Sequence, residues 1–164
     1  MIDAPQSLVD AFQGWAHLYS KTKLVSMAVT YVHFAGLLLG GGAAVAADRE
    51  TLRAAKEADP MRADHLQFLA TVHIIAIAGL AMLVGSGILM LLADVETFWA
   101  SKTFWTKMTL VVLLLVNGLM MRRAEQLAAT APDRAWVQLR WTSVTSLVLW
   151  FAILLASTIL AATA

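Results

Sequence analysis

The 164-residue sequence is 60% hydrophobic and only 14% charged, has no cysteine and carries a formal charge of +1. A soluble domain of this length carries about 25% charged residues, so a soluble globular protein is excluded. The near-neutral charge argues against nucleic acid as a partner. The absence of cysteine excludes disulfides, thiolate zinc sites, iron–sulfur clusters and c-type haem attachment.

The first residues lack the basic start and unbroken apolar run of a secretory signal, because Asp3, Pro5 and Asp10 fall within it, so the N-terminus is expected to be retained. Over 7–21, Leu8, Phe12, Trp15 and Tyr19 recur at helical spacing while Asp10, Gln13 and His17 fall elsewhere. That pattern predicts an amphipathic helix lying on the membrane surface.

Four weakly charged stretches follow, at about 24–47, 66–93, 103–121 and 141–162. Each is long enough to cross a bilayer, whose hydrocarbon core takes roughly 20 helical residues. The expected fold is therefore all-α: a single transmembrane domain built as a four-helix up-and-down bundle, with the N-terminal interfacial helix beside it.

The connections have distinct characters. Segment 48–65 is rich in charge and is expected to turn near Pro60. In 94–102, Phe98 and Trp99, with Trp105 beyond, resemble an interfacial aromatic belt. In 122–140, Pro132 marks the turn, and Trp136 and Trp141 supply the opposite belt.

Of the 12 basic residues, Lys21, Lys23, Lys102 and Lys107 lie on the side of the termini and the rest on the other. By the positive-inside rule both termini are expected outside and the charged connections in the cytoplasm, and the expected location is a cell membrane, the bacterial inner membrane.

A polar group in hydrocarbon is costly, so an intramembrane ionisable residue is a functional candidate by default. His33 in the first span and His73 in the second qualify, whereas His17 and His65 are expected in or near aqueous segments. Thr30, His33, Leu37, Gly40 and Ala44 share one helical face, with Gly36 beside it, which directs His33 into the bundle. The run Gly40-Gly41-Gly42 serves either tight helix packing or a slot for a flat cofactor.

Two histidines on adjacent spans invite a b-type haem held by both imidazoles. If the hairpin turns near Asp59, however, the two lie at depths that differ by roughly 18 Å at the helical rise. They are thus two sites or none. His33 falls near the level of Ser86, Thr109 and Trp150, and His73 near Arg122, Arg123 and Arg140. At the His73 level, Met120 and Met121 offer thioethers and Arg122 a partner for haem propionates, with copper as an alternative occupant. Asn117 sits near mid-depth, suited to a hydrogen bond between helices. Lys107 lies near a span end and can extend to the headgroups. None of the four stretches contains Asp or Glu, which weakens a transport reading, and no Walker, HExxH or GxSxG signature is present.

The run His33-Phe34-Ala35-Gly36-Leu37, His73 followed by Gly79-Leu80 and Ser86-Gly87, and Phe104-Trp105-Thr106-Lys107 resemble the copper-resistance-D-like group of small bacterial membrane proteins. The likeness covers about 33–121. It implies a metal- or haem-linked membrane role and carries over His33, His73 and Lys107. Three functions stay open: a haem- or metal-associated protein of membrane redox chemistry, an accessory subunit packed against a partner membrane subunit or in a homo-oligomer, and a small transporter. Nothing in the sequence marks an enzyme acting alone.

Overall fold

The computed structural model describes residues 4–56, 59–128 and 131–163. Among them there is no strand; helices follow one another with short breaks. Helix α1 spans Gln6–Lys21, and the extended residue Thr22 separates it from α2, Lys23–Gly36. A π-helical turn, Leu37–Gly41, joins α2 to α3, Gly42–Ala54. Then come α4 (Asp59–Ala93), the short α5 (Val95–Ala100), α6 (Lys102–Leu127) and α7 (Pro132–Thr163). Asp94 and Ser101 cap α5 and α6 by accepting from the backbone N–H of Thr97 and Phe104.

Four helical segments are long and apolar enough to cross a membrane: Lys23–Ala54, Thr71–Ala93, Lys102–Leu127 and Pro132–Ala162. The protein is an all-α, polytopic membrane bundle. The helices outrun the apolar stretches at the end that carries the arginines, because a charged sequence can stay helical when its polar face meets water. Pro60 stands in the first turn of α4 and Pro132 opens α7, positions where a missing N–H costs no helical bond. The turn expected near Pro60 falls on 57–58, outside the described residues.

The closest contact between helices is made by glycine. A Cβ at Gly79 would overlap the backbone of Gly40, and one at Gly36 would stand 2.8 Å from the Gly79 carbonyl oxygen and the Leu83 nitrogen. Without a hydrophobic drive between helices in lipid, such backbone approach is what packing energy is built from. Gly41 faces α7 instead, where a Cβ would meet the Trp150 ring at 3.2 Å. The glycine run is thus filled by the α4 backbone and an indole, the packing alternative rather than a cofactor slot. The π turn adds one residue, which rotates the presented face by about 100°. Before it the chain packs on α4 and α1, and after it on α4 and α7.

Helices α6 and α7 pack along their length, and α2 packs on α4, while α3 ties the two pairs together. A core of Ala54, Met121, Ala124, Trp136 and Leu139 closes the basic end. Trp136 is therefore a core residue and not part of an interfacial belt; Trp141, exposed, keeps the position expected of one. At the opposite end Trp105 donates to the Trp99 carbonyl at 3.0 Å, their rings 5.2 Å apart edge to face. The amphipathic α1 lies against α4, with Trp15 Nε1 donating to the Leu89 carbonyl at 2.8 Å.

Gly79→Ala is expected to destabilise the bundle by about 1–3 kcal/mol through overpacking, whereas Gly42→Ala, where a Cβ meets nothing within 4 Å, should not. Thermal midpoints of the two variants in detergent check this; equal midpoints would show that α2 and α4 do not meet at Gly79.

Candidate functional sites within the bundle

His33 projects from α2 toward α4, one turn before the glycine contact. Its Nδ1 lies 2.9 Å from Ser86 Oγ. The Ser86 hydroxyl donates to the carbonyl of Met82 at 2.6 Å. Having spent its proton there, Ser86 accepts, so Nδ1 carries the imidazole proton and Nε2 keeps its lone pair. The Leu83 carbonyl lies beside the same ring, and Gly87 leaves open the ground next to Cε1, where a Cβ would stand 3.7 Å away. From α6, the Lys107 ammonium is near enough for its charge to bear on the ring. Lys107 is partly buried, and among the described residues no carboxylate pairs with it.

His73 belongs to a different place. Its Nε2 lies 3.6 Å from Glu125 Oε1 of α6, an approach too long for a hydrogen bond, and both side chains are largely covered. The ring borders a cleft of about 280 Å³ between α3, α4, α6 and α7, lined mostly by apolar side chains, with Asp48, Asn117, Arg122, Ser146 and Trp150 on its walls. Asn117 donates across to the Thr142 carbonyl at 2.9 Å, tying α6 to α7.

Several sequence expectations change here. Asp48, counted with an aqueous connection, is 2% exposed, because α3 continues as helix and α7 covers it. Ser143 and Ser146 face its carboxyl, yet Asp48 Oδ2 and Ser143 Oγ lack hydrogen-bond partners. The bundle thus does contain a buried carboxyl group, Asp48, and a partly covered one, Glu125, in residues that lie just past the apolar stretches. Met120 points away and is 44% exposed, whereas Met121 is buried and lines the cleft. His33 and His73, with separate partners, form no common site, and among the described residues no group of three or more His, Asp or Glu is placed to hold a metal ion. Asp48 and Glu125 could have been found from sequence only by letting the helices run on through the charges.

A b-type haem fits the His73 cleft poorly. Its volume lies at the small end of ligand pockets, which run to about 1,000 Å³, and the imidazole nitrogen a metal would use is turned toward Glu125.

His65, expected near water, is also buried. Its Nε2 lies 2.9 Å from Thr51 Oγ1, which itself donates to the Ala47 carbonyl, so the imidazole N–H is the donor. Trp136 lies 6.2 Å away, centroid to centroid.

Comparison with known protein families, curated proteins and solved structures returns no match for this chain.

Burial pushes the His65 imidazole below its ordinary value, with the charge of Glu50 opposing. The unfolded chain therefore binds the proton more readily, and the neutral ring contributes stability that is full above the ordinary histidine value and lost as pH falls below it. Melting in detergent should drop between about pH 7 and pH 5, and His65→Gln should flatten that drop. An unchanged profile in the variant would place the pH dependence elsewhere.

Proposed function

We propose that this membrane protein serves membrane redox chemistry, with His33 as the ligand of a b-type haem or, less fittingly, of a copper ion. One observation carries the reading: Ser86, its own proton given to the Met82 carbonyl, fixes the His33 tautomer so that Nε2 is the ring nitrogen with the lone pair. Metal-bound histidines almost always donate their other N–H to a fixed acceptor, which sets the tautomer and raises the basicity of the ligand nitrogen. Ser86, held by its own bond to Met82, is such an acceptor. Lys107, a partly buried cation with no carboxylate partner among the described residues, offers a charge for a propionate. The resemblance to the copper-resistance-D-like group singles out the same pair, His33 and Lys107, together with His73.

A haem so bound supplies one-electron transfer. The chain's part is to hold the imidazole in one tautomer, to neutralise an anionic edge and to keep water from the ring. Both termini outside, in a bacterial inner membrane, belong to the same proposal, which rests on the distribution of lysine and arginine.

The test is the absorption spectrum of protein purified from cells supplied with haem, air-oxidised and then dithionite-reduced. The wild type should show a Soret band that sharpens on reduction. His33→Ala should abolish it, Ser86→Ala should weaken haem retention by about 10–100-fold, and His73→Ala should leave it in place. A featureless wild-type spectrum from folded protein overturns the proposal and moves the reading to an accessory subunit.

A further inference from the structure

We infer that the cleft between Asp48, His73 and Trp150 is a binding site for a lipid-soluble molecule with a single ring bearing hydrogen-bonding oxygens, of the quinone or hydroquinone class. This inference is independent of the His33 site.

Four features of the cleft converge on that chemistry. The first is size: at about 280 Å³ it holds one substituted ring and not a macrocycle. The second is access. Ile77, Leu115 and Leu119 line the cleft and are exposed on the lipid-facing surface of the bundle, so entry is from the bilayer and suits a ligand dissolved there. The third is polarity. The walls are apolar, but Asp48, His73, Asn117 and Arg122 lie among them, acceptors and donors both, with no net excess of either sign. A neutral ring with oxygens fits that balance, and the Trp150 indole offers a face to stack on.

The fourth feature is the unmet valence. Asp48 lines the cleft, is 2% exposed, and its Oδ2, although faced by Ser143 and Ser146, makes no hydrogen bond of good geometry. An unpaired buried carboxyl oxygen is costly, and a group that pairs with it recovers that cost on binding. Ionised, Asp48 accepts from a hydroquinone hydroxyl; protonated, it donates to a quinone carbonyl. One residue thereby serves either form of the ligand. A fatty acyl chain would fill the volume but leave Oδ2 unpaired.

Gly118 supplies a clean probe. It lines the cleft, and a Cβ there meets nothing within 4 Å, so Gly118→Leu fills the space without pressing on a neighbour. The experiment is a titration of the detergent-solubilised full chain with a benzoquinone carrying a decyl tail, read by quenching of tryptophan fluorescence. Saturable quenching is expected. Affinity should fall by about tenfold or more in Gly118→Leu and in Asp48→Ala, which removes the hydroxyl that donates to the quinone carbonyl, and the saturating amplitude should shrink in Trp150→Phe. Thermal midpoints report folding, and Asp48→Ala, which overfills nothing, serves should Gly118→Leu fail to fold. Linear quenching that is the same in all variants would mean partition into the micelle and overturn the inference. So would displacement of the quinone by decanol at the same concentration, which would make the cleft a site for acyl chains.

Discussion

The backbones of α2 and the π turn touch α4 at Gly36, Gly40 and Gly79, and the placement of His33 follows from that contact. In lipid, apolar side chains gain nothing by leaving one apolar surroundings for another, so close approach must supply the attraction. Three residues without side chains permit it. One turn away along the same seam, His33 meets Ser86, since two helices held this closely bring their next inward residues within hydrogen-bonding distance. A Cβ on any of the three glycines would move that pair apart as well as weaken the packing.

The π turn at Leu37–Gly41 divides the first span into two tasks. Before it, the helix belongs to α4. After it, the rotated face brings Asp48 and Thr51 toward the interior, the first facing Ser143 and Ser146, the second bonded to His65. The two ends of the bundle thereby acquire different chemistry. At one lies an imidazole with a cation nearby; at the other lies a cleft lined by a carboxyl group, an imidazole and an arginine.

Much of the second site escaped a reading of the residues because of one assumption, that charge ends a span. The run from Asp48 to Lys56 reads as a connection by composition. Helix continues through it since a helix needs only one buried face, and Asp48, Thr51 and Ala54, spaced by three, share it. Glu125 and His73 are far apart in sequence and on different helices, a juxtaposition no spacing rule can express. Met120 and Met121 illustrate the same limit: adjacent in sequence, they differ by about 100° around the helix, and only the packing tells which of them faces inward.

What the residues determined by themselves is the environment and the gross architecture. Apolar runs of bilayer length, too few charges for water and no cysteine leave a membrane helix bundle as the way to satisfy the backbone. The level of each residue along its helix was legible too, because rise per residue is constant once a hairpin is assumed: Gly40 opposite Gly79 and His33 near Ser86 follow from counting. Tertiary structure alone decided the rotation of each helix about its axis. That rotation is set by which small residues find each other and by the π turn, and neither is encoded in a local period. It is what turned Trp136 inward and put a carboxyl group into a cleft.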